Sequence, residues 1–440
     1  QIDLGTLQGL VENGGAIQAD NGAVYLTAQA KNSLSKAVVN HTGIIEANRL
    51  SKNAKGEIIL LGDMQTGTTT VSGTLKAEGK NGADGGFIET SAANIQIQDS
   101  TKVSTLSDSG KTGEWLIDPT DFNINAGNAV KTDSGIGATT LQTNLATNNV
   151  TLQTSATNTG SEKGDINVNA AVTWTSANSL TLSAHNDINI NANITATNGK
   201  LNLIYGTSTA NYYANTSNYY LNNGAKVNLK AGQNFSTQKG ADTARKIDYT
   251  VITDLGAAGS TTKTDLQGMS GDLLWNYVLG ADINAAATSG WNGGLGFTPV
   301  GTGDPYGAGT TPFKGRFDGL GHSISNLYIN RPTETYVGLF GSSSAFNSGG
   351  TFRHVGMAGV NVTGKRHVGG LVGEARSGIV ENSYATGQVT GEDYVGGLVG
   401  YGFDGYIKKS YAAVDVTARS TVSHAGGLIG KIGRASCRER

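Results

Sequence analysis

The sequence predicts an all-β chain wound throughout as a right-handed parallel β-helix, a solenoid with few short helices, and three observations predict it. The first is a repeat. Val337-Gly338-Leu339-Phe340-Gly341 returns as Gly369-Gly370-Leu371-Val372-Gly373, as Gly396-Gly397-Leu398-Val399-Gly400 and as Gly426-Gly427-Leu428-Ile429-Gly430. A period of roughly 30 residues means one supersecondary unit stacked on copies of itself, since a single unit cannot bury its apolar face alone. The second is short apolar-polar alternation along almost the whole chain, broken by Asn/Gly turns. The third is composition: 64 Gly, 5 Pro and 15% charged residues in 440. Stacked turns place equivalent side chains about 4.8 Å apart, where like charges repel and Asn, Thr and Ser form ladders instead.

Residues 1–126 carry short strands such as Gly22-Ala23-Val24-Tyr25-Leu26-Thr27, Gly56-Glu57-Ile58-Ile59-Leu60-Leu61 and Gly86-Phe87-Ile88-Glu89-Thr90. Two or three strands per turn give turns of roughly 20 residues, within the range of solenoids. Sequential parallel pairing favours a right-handed coil, by the crossover rule. Ala30 to Val39 reads as one short helix on the outside, and Asp118-Pro119 as a turn that ends strand pairing, because Pro lacks the donor.

Residues 127–275 continue with different strands. Gly164-Asp165-Ile166-Asn167-Val168 recurs as Asn186-Asp187-Ile188-Asn189-Ile190, and Leu180-Thr181-Leu182 recurs as Leu201-Asn202-Leu203, a spacing that suits one turn of the coil. Thr139–Ala146 and Asp265–Leu274 read as brief helices. Residues 276–431 hold the glycine-bracketed cores and a second recurring unit, Ile379-Val380-Glu381-Asn382-Ser383-Tyr384-Ala385 and then Ile407-Lys408-Lys409-Ser410-Tyr411-Ala412. There the glycines are expected to supply φ > 0 or crowded backbone positions at sharp corners. Residues 432–440, Ile432-Gly433-Arg434-Ala435-Ser436-Cys437-Arg438-Glu439-Arg440, are what a common short-read sequencing adapter encodes and are set aside from fold reasoning. The sole Cys, Cys437, goes with them. Gln1 opens on a running strand pattern, so the chain reads as an internal fragment.

The glycine-bracketed cores and their Ser-Tyr-Ala tails resemble the GLUG motif of large bacterial surface proteins. So does the lead-in Phe313-Lys314-Gly315-Arg316-Phe317-Asp318-Gly319-Leu320-Gly321-His322. Leu10-Val11-Glu12-Asn13-Gly14-Gly15-Ala16-Ile17-Gln18-Ala19-Asp20 and Gly113-Glu114-Trp115-Leu116-Ile117-Asp118-Pro119 resemble the shaft of filamentous-haemagglutinin-like proteins exported by two-partner secretion. The export domain of that family is missing from this chain. The resemblance implies a Gram-negative host, export as an unfolded chain through an outer-membrane two-partner-secretion transporter, and a secreted, cell-surface or outer-membrane-associated protein.

Composition and motifs narrow the function classes. A net charge of −2 gives no footprint for nucleic acid, and no apolar run reaches the roughly 18 residues needed to span a membrane. Parallel β-helices host polysaccharide-cleaving enzymes, whose sites need two or three acidic groups close together. Here no Asp-Asp pair occurs, and Asp282, Asp304, Asp318 and Asp404 stand in turn contexts, so no catalytic residue is expected. The six His residues show no metal-binding spacing, and no phosphate-cradling glycine loop opens a helix. No metal or cofactor site is expected; His354 and His367 read as solvent-facing turn residues.

One loop, from Ser208 to Asn223, reads as a recognition surface or as cover for neighbouring strands. Its Tyr212, Tyr213, Tyr219 and Tyr220 alternate with Asn and Ser and are the candidate ligand contacts. The function expected is a secreted adhesin, a rod of about 20 turns and roughly 100 Å that attaches to host cells or biofilm matrix through a glycan or protein receptor. A haem-carrier or other ligand-capture protein, or a polysaccharide-degrading enzyme, on the same scaffold are the alternatives.

Overall fold

The computed structural model describes residues 9–29, 37–127, 133–155, 163–208, 213–304, 310–344, 350–421 and 423–433. The chain divides into two compact units, the first of residues 1–225 and 236–247 and the second of residues 226–235 and 248–440. Both are all-β with parallel sheets.

In the first unit, strands Ala23–Thr27, Glu57–Leu61, Phe87–Ser91, Glu114–Asp118, Asn149–Gln153, Ser179–Ala184 and Lys200–Tyr205 pair in that order, every neighbour parallel. The register brings like to like. Val24, Ile58, Ile88, Trp115, Val150, Leu180 and Leu201 form one buried column, and Leu26, Leu60, Thr90, Ile117, Leu152, Leu182 and Leu203 run beside it. The odd polar member, Thr90, takes the indole N–H of Trp115 at 3.2 Å. Period-2 alternation thus puts one face of each strand against its predecessor's apolar face and sends the other outward.

On a neighbouring sheet of the same unit, outward positions carry amide ladders. Asn167 Nδ2 donates to Asn123 Oδ1 at 3.0 Å and Asn189 to Asn167 at 2.9 Å. A parallel column joins Asn125, Asn169, Asn191 and Asn222 by bonds of 2.8 to 2.9 Å. Carboxylates cap corners from one pass of the chain to the next: Asp121 accepts from the Asp165 amide, Asp165 from the Asp187 amide and Asp187 from the Asn218 amide.

The repeat within residues 164–203 lies in register, with Ile166 opposite Ile188 and Leu180 opposite Leu201. Circuits in the earlier segment are longer than the expected turn of roughly 20 residues. Ala23 pairs with Glu57, Glu57 with Phe87 and Phe87 with Glu114, because each circuit carries three short strands and a turn-rich loop. The expected helix over Ala30–Val39 is corrected where it is described: Ala37–His41 is a strand, paired with Gly9–Asn13, and residues 30–36 lie outside the described set. The helix expected at Thr139–Ala146 is present as Ala138–Leu145, and Asp118 ends its strand as Asp118-Pro119 requires.

In the second unit, four parallel ladders run through the repeats. Tyr277–Leu279, Arg316–Asp318, Thr351–Arg353, Ile379–Glu381 and Tyr406–Lys408 form one, and Phe340–Ser344, Val372–Arg376, Val399–Phe403 and Ile429–Ile432 another. Thr335–Val337, Arg366–Gly369, Asp393–Gly396 and Ala425–Gly426 form the third. The fourth contains Ser323–Ser325, Gly356–Thr363, Tyr384–Gly391 and Tyr411–Ala418. Phe340, Val372, Val399 and Ile429 lie opposite one another, as the spacing of the cores requires. The stretch expected as a helix at Asp265–Leu274 contains a single 3-10 turn, Gln267–Gly271.

The core glycines are there for crowding. Gly370, Gly373, Gly397 and Gly400 do not have positive φ, but a Cβ on Gly370 would lie 2.6 Å from the Gly397 carbonyl, and one on Gly397 would lie 2.2 Å from that of Gly427. Only a hydrogen fits between such backbones.

Candidate functional site

The tyrosines of the Ser208–Asn223 loop separate in the structure. Tyr212 lies outside the described residues. Tyr213 is 91% exposed, while Tyr219 is buried in line with Ile166 and Ile188 and meets Tyr205 edge-on at 5.6 Å. Tyr220 is half-buried and continues the outward column after Asn189. An inward-facing Tyr219 serves the core, which leaves Tyr213 as the openly presented ring among the described members.

Three of the carboxylates read as turn residues have cationic partners. Asp282 accepts from Lys226 Nζ at 2.7 Å and from the Ser323 amide at 2.8 Å. Burial opposes ionisation, but these donors hold its carboxyl at about 2. Asp318, 2% exposed, meets His354 Nδ1 at 3.1 Å and Arg353 Nε at 3.4 Å. Arg376 lies 3.8 Å from Asp304. Among the described residues no group of three or more His, Cys, Asp and Glu side chains gathers as a metal ion needs.

The expectation of solvent-facing His354 and His367 is corrected. His354 is 6% exposed and stacked inside the unit, and burial holds its imidazole below the ordinary value despite Asp318. His367 is half-buried, with Nδ1 2.6 Å from Oε2 of Glu374, whose side chain is fully buried. The other oxygen of Glu374 accepts from Arg376 Nε. A buried carboxylate is tolerated when both oxygens meet cationic or polar donors, as here.

His367 belongs to a column. Tyr336, His367, Tyr394 and His424 occupy one position in successive repeats, with ring centroids 4.9, 4.8 and 5.0 Å apart. Tyr336, His367 and Tyr394 have φ of 67°, 54° and 54°. Side chains other than Gly and Asn adopt that left-handed conformation at a cost of roughly 1–2 kcal/mol, so three bulky rings sit at corners where glycine would be easier. Beside the column, Arg366 donates to Asp393 at 3.1 Å and packs over the Tyr394 ring at 5.1 Å, while Asp393 also meets His424 Nδ1 at 3.0 Å. On the next ladder Tyr401 lies 5.3 Å from His367, and Lys431 sits 5.0 Å over Tyr394. His367 and Tyr394, in the middle of the column, are thereby fixed by neighbours above, below and beside them. Sequence reading passed over this column, although one signal marks it: each ring stands directly before the Val-Gly or Ala-Gly of its repeat.

Residues 364–390 match the GLUG motif. That interval runs from the His367 strand through Val372–Arg376 and Ile379–Glu381 into Tyr384–Gly391, one full set of the four ladders. Over 131 residues the chain is 40% identical to halomucin of Haloquadratum walsbyi, a stretch that covers 29% of this chain and 1% of halomucin. The chain thus corresponds to a very small part of that relative. No solved structure gives a significant match.

Proposed function

We propose that this chain is a secreted, cell-surface adhesin that attaches its bearer to host cells or to biofilm matrix. In this reading the parallel ladders of each unit close into a right-handed parallel β-helix, elongated along the stacking direction. The observation that carries it is the in-register pairing of every repeat with the next. A module whose copies bury one another's apolar faces grows by addition and gains reach and surface without needing a globular core. The GLUG match and the partial identity to halomucin support a surface or secreted setting. The Trp115-Leu116-Ile117-Asp118-Pro119 segment supports export by an outer-membrane two-partner-secretion transporter. Attachment rather than catalysis fits carboxylates that are engaged by cations, as Asp282 is by Lys226 and Asp318 by Arg353.

Beads coated with the full chain test the reading. They are expected to adhere to cultured epithelial cells or to a preformed biofilm well above albumin-coated beads, and equal retention overturns the proposal. A haem titration of the same protein is expected to give no shift of the haem absorption band; a saturable shift favours ligand capture instead.

A further inference from the structure

We propose that the column Tyr336–His367–Tyr394–His424, with Arg366 and Asp393 beside it, is a carbohydrate-binding face that takes an extended oligosaccharide running along the stack of repeats. The proposal rests on the adhesin reading and names the class of ligand and the residues that meet it.

Four features lead to a sugar chain. First, the column offers the half-buried rings of Tyr336, His367 and Tyr394 and the exposed ring of His424 beside an exposed Arg366, so that apolar ring edges and hydrogen-bonding groups lie side by side. A pyranose presents the matching pair: C–H faces that pack on aromatic carbon, and hydroxyls that pair with guanidinium, carboxylate and imidazole. Second, the polar groups are already oriented. Asp393 is held by Arg366 and His424, and His367 by Glu374, so little side-chain freedom remains to be lost on binding. Third, positive and negative groups alternate. Arg366 opposes Asp393 and Arg376 opposes Glu374, which gives no single-sign field to draw a highly charged polymer and suits a ligand rich in neutral hydroxyls.

The fourth feature is the repeat itself. The ring-to-ring distances of 4.8 to 5.0 Å are close to the length of one sugar unit in an extended chain. The spacing is that of the stacked strands themselves, so successive units of a polymer with that repeat meet successive rings of the column. The left-handed backbone of Tyr336, His367 and Tyr394 agrees with this, since rings are retained at corners where the chain would be relaxed by glycine.

The full chain is applied to an array of neutral, sialylated and sulfated glycans, and the hit is titrated as a length series from one to six units. Affinity is expected to rise at least tenfold from the disaccharide to the tetrasaccharide and to level off beyond it. Tyr394→Ala and Arg366→Gln are each expected to weaken the tetrasaccharide at least fivefold, while Tyr25→Ala, at an exposed ring of the first unit, leaves it unchanged. Arg366 is exposed, so its replacement keeps the fold, and circular dichroism checks Tyr394→Ala. Absence of any glycan hit, affinity independent of length, or unchanged binding by both folded variants overturns the proposal. If the array is blank yet coated beads still attach to cells, this site falls and the adhesin reading stands. If the beads fail to attach while the length series behaves as expected, the adhesin reading falls and the site stands.

Discussion

The indole N–H of Trp115 is satisfied inside the hydrophobic stack by the hydroxyl of Thr90, 3.2 Å away on the strand before it, with both residues fully buried. An N–H buried without a partner costs about 1–3 kcal/mol, whereas removing both partners of a bond is close to neutral. Thr90→Val is therefore expected to destabilise the chain by about 1–3 kcal/mol, and Trp115→Phe by an amount set by lost volume. The double variant should be more stable than the sum of the two predicts. Urea unfolding of the four proteins measures the coupling, and additive losses would show that the bond contributes nothing.

The amide ladder gives a second prediction, with a built-in pH dependence. Asn167 donates to Asn123 and accepts from Asn189. Asn167→Asp keeps the acceptor and replaces the donor with a second oxygen that faces the Asn123 oxygen. A loss of about 1 kcal/mol is expected at pH 7. Relative to the parent at the same pH, the loss should shrink below about pH 4, where the acid regains a proton to donate. A deficit constant between neutral and acid pH would rule out the ladder as its source.

Much of the repeat architecture was legible because the pairing step equals the sequence period. Ile166 and Ile188 hold equivalent places in the sequence repeat and lie opposite one another in the sheet, and the cores around Phe340, Val372, Val399 and Ile429 pair as their spacing implies. Side-chain fate was less legible. His354 reads as a turn residue from its neighbours, yet its carboxylate partner, Asp318, comes from one pass of the chain earlier. Circuit length failed for the same kind of reason: the loops between Ala47 and Gly56 and between Ala77 and Gly86 lengthen a turn without changing its strands. Tyr219 looks like a surface tyrosine in its Asn-Ser context, and only its register with Ile188 reveals that it points inward.

Asp282 carries a third prediction. Burial works against its charge, but the Lys226 ammonium and the Ser323 N–H lower its carboxyl to about 2 from an ordinary 3.8. A carboxyl depressed in the folded state stabilises it above the unfolded value, and that contribution is lost as pH falls from 3.8 through about 2. Asp282→Asn should therefore cost stability at pH 5 and little at pH 2. The side chain is half exposed, so added salt should shrink the difference at pH 5. Equal losses at both pH values would mean that the charge is not what Lys226 and Ser323 recognise.

His354 reverses the roles of charge and burial. Its ring is 4% exposed beside Asp318, which favours protonation, but Arg353 sits 3.4 Å from the same carboxylate and offsets its field. Burial therefore decides, and the imidazole lies below its ordinary 6.5. A base depressed in the folded state contributes stability that is whole above 6.5 and is lost as pH falls through its folded value, because the unfolded chain takes up the proton first. His41 and His322, also lowered by burial, act in the same direction, so stability should decline from pH 7 to pH 5. His354→Asn should remove one share of that decline without straining the backbone. Its φ of 52° suits asparagine, and Asn382 holds φ 49° one repeat later. Proton NMR of the ring checks the assignment directly: a midpoint at or above 6.5 would mean that Asp318 outweighs burial, and the expected acid weakening at this site would become acid strengthening.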